Sequence, residues 1–206
     1  MKTILFQGDS ITDAQRSRDN DNFAGSGYAN LVKAEIGYEY PNEYRFYNRG
    51  ISGNRSIDVY ARIKQDIINL KPDIMSILIG VNDVWHELSY HNGVDADKYF
   101  RIYSMLIEDI KEALPEIKIM ILEPFVLKGT ATEECWEYFS TEVQKRAEKA
   151  RQIAEKYNLP FIGLQNKLNE AEKKAPSSYW LMDGVHPNAA GHELIKREWI
   201  KAFKNL

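Results

Sequence analysis

Ile74-Met75-Ser76-Ile77-Leu78-Ile79 is almost wholly apolar, with Ser76 its one polar interruption. A strand with one face in water alternates apolar and polar residues. A run without that alternation reads as a strand covered on both faces, as in a parallel sheet between helices. Runs of similar character lie to either side: Thr3–Phe6 and Tyr44–Tyr47 before it, Lys118–Leu122 and Pro160–Ile162 after it. Between the strands, Tyr28, Leu31, Val32 and Ile36 recur at helical spacing, as do Val59, Ile63, Ile67 and Leu70. A third set, Ile102, Met105, Leu106, Ile110 and Ala113, ends at Pro115. A long helix rich in Lys and Glu is expected from about Tyr138 to Tyr157. A last one is expected from Pro187, a favoured first-turn residue, to about Phe203. Thr130–Glu137 reads either as a loop or as the start of the long helix.

Strands alternating with helices predict an α/β fold: three α/β/α layers around a five-stranded parallel sheet. The simplest arrangement is flavodoxin-like, with strand order 2-1-3-4-5 and right-handed crossovers. No repeat, low-complexity tract or linker interrupts residues 1–206, so one domain is expected.

Bulk properties narrow the function. The chain has 206 residues, 44% hydrophobic and 28% charged, with 27 basic and 30 acidic side chains and a net charge of −3. No block of one sign stands out, so neither a nucleic-acid footprint nor a membrane-surface patch is indicated. The lone cysteine, Cys135, excludes a domain held by internal disulfides. No apolar run approaches the roughly 20 residues that cross a bilayer. Met1-Lys2 leads straight into Thr3-Ile4-Leu5-Phe6 without the longer apolar stretch of a signal peptide, so a cytoplasmic location is expected.

Ligands of such sheets bind beyond the carboxyl ends of the strands, where strand order reverses. Three segments should meet at that rim: Gly8–Thr12, Asn48–Asn54 and Gly80–Asp83. Acyl transfer there needs a hydroxyl nucleophile, a base oriented by a third group, and donors for the oxyanion. Ser10 follows a strand on a tight turn, and Gly8 keeps the approach open. The backbone N–H of Gly53, the side-chain amide of Asn82 and the N–H of Ser10 are candidate donors. In Asp183-Gly184-Val185-His186, the carboxylate can fold back onto Nδ1 and leave Nε2 for Ser10.

These segments resemble the SGNH hydrolases, also called GDSL esterases, across nearly the whole chain. The resemblance lies in Gly8-Asp9-Ser10-Ile11, with Ile in place of Leu, and in Gly50-Ile51-Ser52-Gly53, Gly80-Val81-Asn82-Asp83 and Asp183-Gly184-Val185-His186. It implies Ser10 as nucleophile, Gly53 and Asn82 as oxyanion donors, and His186 with Asp183 as base and orienter. It also implies neither metal nor organic cofactor. Gln7–Asp13, Val81–Trp85 and Asp183–Pro187 with Ala190-Gly191-His192 look most like the acetyl xylan esterase branch, whose members remove acetyl groups from xylo-sugars. Trp85 and Trp180 then offer aromatic faces for a sugar ring. An intracellular enzyme cannot reach polymeric xylan, which points to short acetylated oligosaccharides. The implied partner is a small acyl ester, in the leading reading an acetylated sugar; a homo-oligomer stays open.

Blander readings stand beside these. Gly8-Asp9-Ser10 is also a strand-ending turn with a helix cap, and Asn82 a turn residue. Asp183 and His186 also fit a capping pair. Asp9 and Asp83 read as structural carboxylates, Trp85 and Trp180 equally as packing, and His86 and His91 as surface or rim residues. Cys135 reads as an inert thiol. His192 invites a metal reading with His186, but the spacing is not i,i+4 and no cluster completes a site. A longer-chain acyl esterase, thioesterase or lysophospholipase would want an apolar pocket from residues such as Phe125, Val126 and Leu127. A non-catalytic binding module should have lost one of the reactive groups.

Overall fold

The computed structural model describes residues 1–206. In chain order the elements are β1 (Lys2–Gly8), α1 (Ser10–Asp13), α2 (Tyr28–Glu39), β2 (Tyr44–Asn48), α3 (Ser56–Ala61), α4 (Ile63–Asp66), β3 (Ile74–Leu78) and α5 (Val81–Tyr90). They continue with α6 (Ala96–Ala113), β4 (Lys118–Leu122), α7 (Trp136–Tyr157), β5 (Phe161–Ile162), α8 (Gln165–Glu172), α9 (Ser177–Trp180) and α10 (Ala189–Phe203). All strand pairs are parallel and the sheet order is β2-β1-β3-β4-β5, the order expected.

Alternation along the buried strands divides the core in two. Ile4, Phe6, Ile74, Leu78, Met120 and Leu122 point to one face, where Tyr28, Val32 and Ile36 of α2 and Ile195 and Trp199 of α10 cover them. Leu5, Met75, Ile77, Ile119 and Ile121 point to the other, against Tyr99, Leu106 and Ile110 of α6 and Ala150 and Ile153 of α7. Each such large side chain contributes about 1.5–3 kcal/mol on burial. That explains why β3 carries almost no polar residue. Gly8 pairs with Leu78, so β1 and β3 end level with one another. Ser10 and Asn82 lie just past those two ends and emerge at one rim.

Three expectations need correction. The predicted helix through Val59 and Leu70 is broken into α3, α4 and a 3-10 turn at Ile68–Leu70. The first break falls at Arg62, whose guanidinium is drawn inward to Asn54 Oδ1, the Arg49 carbonyl and Gln7 Oε1. Pro187 does not start the last helix: it pairs with Leu181 in an antiparallel bridge, and Asn188 is the N-cap of α10. The blander reading of Asn82 as a turn residue gives way too, since Val81 and Asn82 form the first turn of α5. The ambiguity over 130–137 resolves as a turn followed by a 3-10 helix at Glu133–Cys135, with α7 starting at Trp136.

Candidate active site

The close approach at Gly8 explains how β1 passes into the turn that carries Ser10. A Cβ there would lie 2.4 Å from both the Leu78 carbonyl oxygen and Thr12 Oγ1. Asp9 then caps α1, its Oδ1 accepting the Ile11 N–H at 3.0 Å, which sets Ser10 as the first residue of the helix. Across the rim, Gly184 has φ +98, and a Cβ there would stand 2.5 Å from the Leu127 carbonyl oxygen. That backbone lets Asp183 and His186 turn toward each other. The turn is pinned from below, Leu127 and Ala131 donating their N–H groups to the carbonyls of Gly184 and Asp183 at 2.9 Å.

The two halves meet. Ser10 Oγ lies 2.9 Å from His186 Nε2, and His186 Nδ1 lies 2.7 Å from Asp183 Oδ2. The other carboxylate oxygen, Oδ1, accepts the N–H groups of Val185 at 2.9 Å and His186 at 2.8 Å. Burial alone would raise the Asp183 carboxyl, but the bonds from the His186 side chain and backbone and from Val185 hold it down at about 2. The Asp183 hydrogen bond in turn lifts the His186 imidazole above its ordinary 6.5, against the effect of burial. With a carboxylate on Nδ1, the neutral ring carries its proton there and presents a bare Nε2 to Ser10. The arrangement can take a proton from the Ser10 hydroxyl and hold it.

The candidate oxyanion donors share this rim. Ile51 N–H donates to the Gly8 carbonyl at 3.1 Å, and Asn82 Nδ2 donates to the Asn54 carbonyl at 3.1 Å. A primary amide has two N–H donors, so the Asn54 bond fixes the Asn82 side chain and leaves its second hydrogen for a ligand. Gly53 faces open space: a Cβ there would meet only His86 Nε2, at 4.0 Å. His86, expected at the surface or rim, is half-buried at the rim beside Gly53.

The remaining predicted residues divide. Trp85 belongs to the site, its ring centroid 5.8 Å from that of His186 and 5.9 Å from that of Phe139. Trp180, on α9, meets Tyr179 edge-on at 5.1 Å and donates Nε1–H to the Ala175 carbonyl. Asp9 and Asp83 satisfy donors as expected, although Asp83 serves the N–H and hydroxyl of distant Ser56 rather than its own turn. Burial pushes both carboxyls up to about 7, with the Ile11 bond and His186 opposing it at Asp9 and the Ser56 bonds opposing it at Asp83. His192 accepts the Tyr28 N–H on Nδ1 at 3.1 Å, which caps α2. Burial and the charge of His186 lower it to about 4. Phe125, Val126 and Leu127 are 1%, 3% and 2% exposed and belong to the core.

A family model described as the GDSL-like lipase/acylhydrolase family matches residues 6–194. An acetylxylan esterase of Geobacillus stearothermophilus is 32% identical over 205 residues, covering 96% of this chain and 92% of that one. The crystal structure of that organism's acetylxylan esterase Axe2 superposes with a TM-score of 0.87 at 32% identity, covering 98% of this chain and 93% of that one. Solved forms of Axe2 include catalytic mutants in which a serine or an aspartate is replaced by alanine. A Parabacteroides merdae protein assigned as a GDSL-like lipase superposes with a TM-score of 0.94 at 35% identity, covering 98% of this chain and 95% of that one. No helix is long and apolar enough to cross a membrane.

Proposed function

We propose that this chain, which belongs to the GDSL-like lipase/acylhydrolase family and is a carboxylic ester hydrolase, removes O-acetyl groups from small carbohydrates such as acetylated xylo-oligosaccharides through an acyl-enzyme on Ser10. The observation that carries the mechanism is the 2.9 Å approach of His186 Nε2 to Ser10 Oγ, with Asp183 behind the ring. In the acylation step, Ser10 Oγ attacks the acetyl carbonyl carbon as His186 takes the hydroxyl proton. The carbonyl oxygen becomes an oxyanion facing the N–H groups of Ser10 and Gly53 and Asn82 Nδ2. Collapse expels the sugar alkoxide, which leaves with the proton that His186 returns. Water, deprotonated by the same imidazole, then attacks the acetyl-serine and releases acetate.

Preference for a short acyl group is supported by the half-buried imidazole of His86, whose Nε2 lies 4.0 Å from where a Gly53 Cβ would stand. Trp85, packed on the His186 ring, offers an aromatic face beside the leaving group. Comparing acetylated xylo-oligosaccharides with p-nitrophenyl acetate and octanoate tests the reading, with Ser10→Ala as the blank. Release of acetate from the oligosaccharides and poor octanoate turnover are expected. A strong octanoate preference would transfer the enzyme to the long-chain class. If a folded sample resists fluorophosphonate labelling at Ser10, no acyl-enzyme forms there.

Asn82→Ala is expected to lower kcat by about 10²–10³, the usual loss on removing one oxyanion donor. KM should move little, because the bond forms to the transition state. Steady-state kinetics on p-nitrophenyl acetate give the answer, and a kcat near that of the parent removes Asn82 from the oxyanion site.

A further inference from the structure

We infer that the segment following the nucleophile clamps the loop that carries Gly53, with Asp13 as the principal positioning residue; this rests on the reading of Gly53 as an oxyanion donor. Asp13 closes α1 three residues after Ser10 and is only 3% exposed. Its Oδ2 accepts both the backbone N–H and the hydroxyl of Ser52 at 3.0 Å, and a bond from Arg18 Nη2 at 2.6 Å. Ser52 is thus held at main chain and side chain together, and its carbonyl carbon bears the Gly53 N–H.

The same segment grips the loop once more upstream. The Gly50 carbonyl accepts Arg16 Nε at 2.8 Å and Arg18 Nη1 at 3.0 Å. The Gly50 N–H goes to Asn48 Oδ1 at 2.9 Å, while Asn48 Nδ2 donates to the Thr12 carbonyl at 2.6 Å. From the other side, Asn82 holds the Asn54 carbonyl and Asp83 holds Ser56. Gly53 is therefore suspended between anchored neighbours, with open space in front. An oxyanion donor works only if it is fixed before charge develops, within roughly 0.5 Å of its productive place. Because α1 begins with Ser10 and ends with Asp13, one short helix sets the distance between the nucleophile and the donor.

Asp13→Ala, Asp13→Asn and Ser52→Ala in the full chain test this by kcat, KM, the acid limb of the pH profile and the inhibition constant of a phenylboronic acid, which mimics the tetrahedral adduct on Ser10. For Asp13→Ala, kcat should fall on the order of 10- to 100-fold, as for a misplacement of about 1 Å. The boronate should weaken in parallel while KM and the acid limb stay in place, because the Ser10–His186–Asp183 relay is untouched. Asp13→Asn, which keeps one acceptor oxygen, should recover part of the loss, and Ser52→Ala should lose a few-fold. A folded Asp13→Ala that keeps parental kcat and boronate affinity overturns the clamp. Should that variant fail to fold, exposed Ser52 decides through Ser52→Ala with Arg16→Lys, and parental values in both overturn it equally. Asn82→Ala losing rate while the clamp variants do not leaves the oxyanion reading standing and the clamp refuted. A parent chain that neither hydrolyses ester nor binds boronate removes both.

Discussion

Ser10→Ala and His186→Ala are each expected to lower kcat on p-nitrophenyl acetate by on the order of 10⁶, with the double variant no slower than either single one. The non-additivity follows from the geometry. At 2.9 Å, the imidazole and the hydroxyl are placed to exchange one proton, so in the proposed mechanism removing either partner abolishes the same step. Alanine at 10 leaves the oxyanion donors able to polarise a bound ester toward water, which accounts for a residual rate above that of solution. Ser10 is half-buried and its side chain makes this one hydrogen bond, so Ser10→Ala should unfold within about 1 kcal/mol of the parent. Rates and chemical unfolding of all three variants decide the matter. A double variant slower than the singles by the product of their losses would falsify a shared proton.

Much of this site could be read from the chain because each reactive group sits in a short contiguous block at a strand end. Ser10 follows β1, Gly53 follows β2, Asn82 follows β3, and the Asp183–His186 turn closes on itself over three residues. The strands were legible because burial on both faces demands runs such as Ile74–Leu78, and the level ends of β1 and β3 follow from parallel register. What stayed hidden depends on long-range partners. Arg62 breaks an apolar helical period because it bonds to Gln7, Asn54 and the Arg49 carbonyl, which no local pattern records. Helix α5 did carry a signal: Val81, Val84, Trp85 and Leu88 have helical spacing, but Asn82-Asp83 reads as a turn. Pro187 sits where a first turn favours it, yet the bridge to Leu181 holds residues 187 and 188 extended. Asp13 gave no sign of its bonds to Ser52, since the partners are 39 residues apart.

Asp183→Asn is expected to keep the fold and to lower kcat by about 10⁴. The turn survives because an amide oxygen can still accept the Val185 and His186 N–H groups now held by Oδ1 at 2.9 and 2.8 Å. The relay does not. An amide NH₂ facing Nδ1 favours the tautomer with its proton on Nε2, and that ring cannot accept from Ser10. The pH dependence carries the sign. In the proposed mechanism neutral His186 is the active form, and Asp183 raises its pKa, so kcat/KM of the parent is expected to fall as pH drops through a value above 6.5. Removing the carboxylate moves that limb to lower pH. Stability runs the other way: the raised pKa means that the imidazolium's contribution is full below about 6.5 and fades as pH rises through the folded value. The Asp183 carboxyl, held at about 2, contributes above its ordinary 3.8 and loses that contribution as pH falls toward 2. The couple thus stabilises the fold most between about pH 4 and 6.5, where the protonated ring is inactive. Profiles of kcat/KM and of the unfolding midpoint against pH, for parent and Asp183→Asn, should therefore slope in opposite directions through the acid limb in the parent, and the His186 contribution to the midpoint should disappear in the variant. An acid limb that stays in place when the carboxylate is gone removes Asp183 from the mechanism.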